Sequence, residues 1–141
     1  MVVLTISMED YLEKIYKLTE EKGCARAADV ASSLNVLPSS VSKMLQKMDD
    51  KGLVSYERYR GFRLTPKGSS IASDIANKHQ MLEGLYRILE IPPENTQGEI
   101  EGVEHQIGKE AVFCIRSLVQ FLEDNPNVRN AYIKYREELV N

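Results

Sequence analysis

Apolar side chains recur at helical spacing from the start of the chain: Met8, Tyr11, Leu12, Ile15, Tyr16 and Leu18. The stripe predicts a helix that begins at Ser7, where Ser7-x-x-Asp10 resembles a capping box with Asp in place of Glu, and that ends at Gly23. A short alanine-rich helix is expected from Ala25 to Leu34, with Asp29, Ser32 and Ser33 on its polar side. Asn35-Val36-Leu37 reads as a tight connection. Pro38 suits the first turn of a further helix, whose buried face is Val41, Met44, Leu45 and Met48 and whose stop is Lys51-Gly52.

The period then changes from 3.6 to 2. Residues 53–59 (LVSYERY) and 61–65 (GFRLT) alternate apolar with polar, with Arg60-Gly61 near the bend, which predicts a two-stranded hairpin. After Thr65-Pro66 the helical period returns in one long helix, assigned to 66–90, with Ile71, Ile75, Leu82, Leu85 and Leu89 on one side. Ile91-Pro92-Pro93 breaks it. The pattern places a helix from Glu99 or Ile100 to about Gly108, another over Ala111–Leu122, and a terminal one carrying Val128, Tyr132, Tyr135 and Leu139. The fold class is therefore mainly α with a small β-hairpin.

Two helices on a tight turn followed by a hairpin is the order of a winged helix-turn-helix. Charge sharpens this reading. The net charge of the 141 residues is −3, yet residues 39–67 carry Lys43, Lys47, Lys51, Arg58, Arg60, Arg63 and Lys67 against only Asp49, Asp50 and Glu57. A local basic excess matters more than the overall sign when the partner is a polyanion. The second helix of the pair starts with small hydroxyl residues that let it approach a groove closely, and free backbone N–H groups there attract phosphate. Ser39, Ser40, Lys43, Gln46 and Lys47 are the outward positions. Lys43 and Gln46 are placed to reach base edges, and Ser42, Arg58, Arg60 and Arg63 to reach phosphates.

Cys24 and Cys114 lack any framework spacing and read as two reduced thiols of a cytosolic protein. The opening MVVLTIS has no basic region and too short an apolar run for a signal peptide, and no later run is long enough to span a membrane.

The chain has two histidines, and one lies in the carboxylate-rich stretch EIEGVEHQIG at 99–108. On a helical wheel drawn through 100–118, Ile100, Val103, Ile107, Ala111, Cys114 and Leu118 form the buried face. Glu101, Glu104 and His105 share an arc of about 100°, with Glu104 inside the edge of the apolar stripe. A carboxylate there must lose water, which is costly unless a cation or donor meets it. The three side chains form a face able to chelate a divalent ion. The other histidine, His79, lies at the border of the long helix's apolar face. Asp10 and Glu13 share a face opposite the first helix's apolar stripe, so the pattern alone reads them as a cap and a solvated charge. Glu99 and Glu110 read as surface charges.

The stretches SMEDYLEKIY (7–16), PSSVSK (38–43), Tyr59-Arg60-Gly61, Leu64-Thr65, His79 and EGVEH (101–105) together resemble the diphtheria-toxin-repressor family of metal-dependent regulators, and within it the manganese-responsive members. The resemblance covers nearly the whole chain. It implies an N-terminal winged helix-turn-helix over 1–70 and a helical metal-binding and dimerisation domain over 71–141, in a homodimer. It also implies that Asp10, Glu13, His79, Glu101, Glu104 and His105 bind a two-ion cluster, with Glu13 and Glu104 bridging. Asp10, His79 and Glu101 would complete one side and His105 the other. Where iron-responsive relatives use a methionine and a cysteine, this chain has Asp10 and Glu101. Oxygen donors suit Mn²⁺ better than sulfur does.

The function expected is a Mn²⁺-responsive regulator that binds operator DNA and represses manganese-uptake genes. An iron- or zinc-responsive repressor of the same family is the alternative, as is a winged-helix regulator of a small organic ligand. A two-metal hydrolase would suit the carboxylates and histidines, but the sequence has no Gly-rich phosphate loop, nucleophile elbow or H-E-x-x-H motif. The chain reads as a non-enzyme.

Overall fold

A computed structural model of the chain describes residues 4–141. Residues 1–3, the start of the MVVLTIS stretch, lie outside the described residues. The described part is helical apart from one hairpin, in the order α1 (Ile6–Lys22), α2 (Ala27–Leu34), α3 (Pro38–Asp50), β1 (Val54–Glu57), β2 (Gly61–Leu64), α4 (Pro66–Ile88), α5 (Thr96–Glu104), α6 (Lys109–Asp124) and α7 (Pro126–Val140). It divides into two units, one ending at Ala76 and the other running from Asn77 to Asn141.

In the first unit, α1 supplies Met8, Leu12 and Ile15 to a core completed by Val30 and Ala31 of α2, Val41, Leu45 and Met48 of α3, then Leu53, Val54 and Ala72. The predicted stripes of α1 and α3 are thus the faces that pack. The start of α1 differs from expectation. Its cap is Thr5, whose side chain accepts the Met8 backbone N–H at 3.1 Å, and Ser7 lies inside the helix. The end is as read: Gly23 adopts φ +85°, and its N–H bonds the Thr19 carbonyl.

Ala25 does not open α2 as expected. Its N–H and carbonyl both pair with Phe62 of β2, at 3.0 and 2.7 Å, so its backbone is spent on the hairpin and α2 begins only at Ala27. The hairpin itself is antiparallel, with Val54 opposite Leu64 and Glu57 opposite Gly61. Gly61, at φ +107°, permits the close pass against Ala25: a Cβ there would sit 2.5 Å from the Ala25 carbonyl oxygen. The three-residue tip is Arg58-Tyr59-Arg60.

In the second unit, the later part of α4 packs through Met81 and Leu82 against Ile100 of α5, with Ile107, Val112 and Ile115 around them. Ile88 packs with Val119 and Leu122 of α6. Two arginines of α7 cap the end of α4: Arg129 Nε donates to the Ile88 carbonyl at 2.8 Å, and Arg136 donates to the Leu89 carbonyl.

The wheel through 100–118 fails in one respect. The stretch is not one helix. α5 starts earlier than expected, at Thr96, ends at Glu104, and the chain leaves helical geometry before Gly108 caps α6 in an extended conformation. A break resets the phase, so the predicted face is carried on two unrelated cylinders. Ile100 is buried and Ile107 half-buried, but Ala111 and Cys114 are exposed, and Val103 and Leu118 are 41% and 49% exposed. The apolar residues of α7 likewise face outward: Val128, Tyr132, Tyr135 and Leu139 are all exposed.

Candidate functional site

Among the described residues, the polar or charged residues buried as whole residues are Glu13, His79 and Glu104, each 5% exposed or less. All three belong to the ligand set expected from the sequence. Burying a carboxylate is costly in an apolar interior, and folds tolerate it where a cation or strong donors meet it.

Glu104 occupies the last residue of α5, and His79 lies in the middle of α4. The packing of Met81 and Leu82 on Ile100 brings them together. His79 Nδ1 lies 2.7 Å from Glu104 Oε2, and neither side chain is more than 7% exposed. His105 follows Glu104 at the exit of α5. Its Nε2 lies 3.8 Å from Glu104 Oε1, and its side chain is 4% exposed. Two imidazoles therefore converge on the two oxygens of one buried carboxylate. Glu101, one turn earlier, is exposed. The set offers nitrogen and hard oxygen donors, and it fits a borderline or hard divalent cation rather than a soft one.

The first unit carries the other two expected ligands. Asp10 and Glu13 lie on α1, three residues apart and so on one face of it. Asp10 is half-buried. Glu13 is buried, and Lys17 approaches its Oε1 at 3.4 Å. The pattern reading of Glu13 as a solvated charge does not hold. The wheel missed its burial because it sees only the helix's own apolar stripe, not what else surrounds the helix.

Sequence reasoning also passed over two residues beside His79. Glu83 Oε1 is 2.8 Å from His79 Nε2, and the side-chain amide nitrogen of Gln97 is 3.1 Å from the same ring nitrogen. The i, i+4 spacing of His79 and Glu83 was the available signal. Glu99, read as a surface charge, accepts a hydrogen bond from the Tyr86 hydroxyl at 2.9 Å. That bond, with some burial and the nearby negative charge, raises the Tyr86 phenol above its ordinary range.

The candidate nucleic-acid interface is in the first unit. Val41, Leu45 and Met48 turn one face of α3 into the core, which leaves Ser39, Ser40, Ser42, Lys43, Gln46 and Lys47 exposed. Leu37 caps α3 without a side-chain hydrogen bond. Ser42 Oγ donates to the Pro38 carbonyl at 3.2 Å, and Gln46 donates to Asp50 at 3.3 Å. Arg58 and Arg60 are exposed at the hairpin tip. Arg63 pairs with Glu57 at 3.2 Å, and its side chain remains 48% exposed. Between the two tip arginines sits Tyr59, 82% exposed and at φ +69°, with the Arg58 guanidinium 5.1 Å from its ring centre. A bulky residue held in the left-handed region without packing to explain it is a feature the alternation pattern did not reveal.

Cys24 and Cys114 are free. Among the described residues no helix is long and apolar enough to cross a membrane.

Comparison with known proteins places both units. Residues 3–62 match the family model described as iron dependent repressor, N-terminal DNA binding domain, and residues 65–131 match iron dependent repressor, metal binding and dimerisation domain. The chain is 44% identical over 139 residues to the HTH-type transcriptional regulator MntR of Bacillus pumilus (strain SAFR-032), covering 97% of this chain and 96% of that protein. It is also 44% identical over 124 residues to MntR of Lysinibacillus sphaericus (strain C3-41), covering 88% and 89%. Among solved structures it is similar to the manganese regulator SloR, with a TM-score of 0.72 and 28% identity over 84% of this chain. It spans about half the length of that structure, 55%. With the DNA-binding and the metal-binding models matched in succession along one chain, the protein belongs to the iron-dependent repressor family of transcriptional regulators.

Proposed function

We propose that the chain is a Mn²⁺-responsive repressor that binds operator DNA as a homodimer in the cytoplasm and shuts down genes for manganese uptake. The observation that carries this is the identity of the buried charged side chains. Of the six expected ligands, four have side chains the fold takes out of water, Glu13, His79, Glu104 and His105, in a chain that also exposes a basic reading helix and wing.

The proposed ligands are Asp10, Glu13, His79, Glu101, Glu104 and His105, holding two ions per chain. The domain division in this reading is 1–70 for DNA binding and 71–141 for metal binding and dimerisation. Four carboxylates match the charge of two divalent ions, and oxygen-rich donors favour Mn²⁺ over softer metals in kind, though not in raw affinity. A bound ion supplies positive charge and fixed geometry where carboxylates otherwise repel. The printed names of the relatives, MntR and the manganese regulator SloR, support the same metal.

DNA binding follows from exposed groups. Ser39, Ser40 and Ser42 bring the N-terminus of α3 close to the backbone, Lys43 and Gln46 reach base edges, and Lys47, Arg58 and Arg60 neutralise phosphates. The outward apolar residues of α6 and α7, Phe113 and Leu139 among them, are the surface offered to a second copy. Metal binding and DNA binding are then linked: metal selects the conformations able to engage two half-sites. No residue of the set is assigned a catalytic role.

The test is fluorescence anisotropy on an operator duplex selected from a random library by the Mn²⁺-loaded protein. Tight binding with Mn²⁺ that a chelator abolishes supports the reading. Chelator-insensitive binding would falsify it, and equal activation by Fe²⁺ or Zn²⁺ would remove the assignment to manganese.

A further inference from the structure

We propose that Glu83, with the Gln97 amide beside it, is the positioning partner of His79, fixing the imidazole so that Nδ1 and not Nε2 is presented to metal. The inference rests on the reading above, in which His79 is a ligand.

The two ring nitrogens of His79 have different surroundings. Nδ1 faces Glu104 Oε2 at 2.7 Å, and the Glu104 side chain has no exposure. Nε2 faces Glu83 Oε1 at 2.8 Å, and that carboxylate is 45% exposed. The Gln97 side-chain amide lies 3.1 Å from the same Nε2. A half-turn of an amide exchanges its oxygen and nitrogen, so Gln97 is able to offer a ring N–H its oxygen.

An imidazole ligates through one nitrogen and donates through the other, and the donating side decides which nitrogen is left for the ion. Here the donor side has an acceptor that helix geometry supplies. Glu83 follows His79 by one turn of α4, so ring and carboxylate share a face and need no tertiary contact to meet. The other nitrogen points at the buried carboxylate already in the ligand set. A carboxylate that accepts the N–H of a ligating histidine sets the ring rotation and raises the basicity of the ligating nitrogen. The same three groups, Nε2, Glu83 and Gln97, also suggest the opposite reading, in which Glu83 itself ligates. The two readings differ in ion count and in what a glutamine replacement does.

The test measures Mn²⁺ binding to the full chain by the electron paramagnetic resonance of free ion, for wild type, Glu83→Ala, Glu83→Gln and His79→Ala. The ¹⁵N shifts of the His79 ring in the Zn²⁺-loaded chain give a second readout. Glu83→Ala is expected to weaken binding about tenfold, the low end for an outer-shell partner. The number of bound ions and the metal-free melting temperature should not change. Glu83→Gln keeps an acceptor oxygen and should recover most of the loss, with Nε2 proton-bearing in the ¹⁵N spectrum of wild type and of this variant. Wild-type affinity in Glu83→Ala alongside a loss in His79→Ala overturns the proposal, as does the loss of one bound ion in both Glu83 variants. Unchanged affinity in His79→Ala overturns the metal reading itself, and the proposal with it.

Discussion

His79 Nδ1 and Glu104 Oε2 are 2.7 Å apart, although 25 residues separate them in sequence. The packing of Met81 and Leu82 of α4 on Ile100 of α5 makes this pair and shields it. A carboxylate buried at 1% exposure against two imidazoles is a costly arrangement for a domain this small, and one that a divalent cation would offset in the proposed reading.

Replacing Glu104 by alanine should therefore separate stability from metal binding. The helical circular dichroism of the chain is expected to persist, because Ile100, Met81 and Leu82 still pack. Mn²⁺ affinity is expected to fall by more than about a hundredfold, beyond the range of outer-shell changes. Isothermal titration of Mn²⁺ into wild type and variant measures the difference. A loss under tenfold would remove Glu104 from the ligands.

The reading helix and the wing should fail in different ways. Arg58→Ala and Arg60→Ala remove phosphate contacts, so the double variant should bind all duplexes more weakly. Each wing loses two contacts and a homodimer has two wings, so the slope of log K against log salt should fall by about 4. Lys43→Ala should instead narrow the gap between operator and random DNA. Anisotropy titrations over a salt series distinguish the two. An unchanged slope in the arginine double variant would remove the wing tip from the interface.

Tyr59 offers a trade between stability and binding. A non-glycine residue in the left-handed region costs about 1–2 kcal/mol, and its stacking on Arg58 returns about 0.5–1. At 82% exposure the ring gives up little burial. Tyr59→Gly is thus expected to raise the unfolding free energy by about 1 kcal/mol in urea titration while weakening operator binding. Equal or stronger binding would show that the exposed ring does nothing for DNA.

Tyr86 should titrate above the ordinary tyrosine range because its hydroxyl donates to Glu99. The raised value means the folded state holds the phenol proton more tightly. The stabilisation is complete below pH 10, the unfolded value, and is lost as pH rises through the folded one. Carbon-13 labelling of the tyrosine ring resolves Tyr86 from the other six tyrosines. Glu99→Gln should lower its pKa, and no change would assign the shift to burial instead.

Much of this was legible in the sequence where a single element carries its own signal. The stripes of α1 and α3, the stop at Gly23, Pro38 at a helix start and the alternation of the hairpin are local patterns, and each lies where it was expected. Errors came where a second element intervenes. Ala25 is claimed by Phe62, which lies 37 residues on and which no window around Ala25 contains. The wheel through 100–118 assumed a helix that stops at Glu104, so Cys114 and Leu118 were assigned to the wrong environment. Glu104 itself was legible because its own helix's apolar stripe contains it. Glu13 was not, since its burial does not come from the stripe of α1, and only the resemblance to a family singled it out.

The central claim is that metal and operator DNA act on one equilibrium, so each must tighten the other by the same factor. Mn²⁺ affinity measured on the chain alone and on the chain saturated with its selected operator duplex tests this most directly. The account predicts at least about a fivefold tighter Mn²⁺ affinity with operator present, the lower end of ordinary coupling, and an equal gain in operator affinity on adding Mn²⁺. Identical Mn²⁺ affinities with and without operator would contradict it.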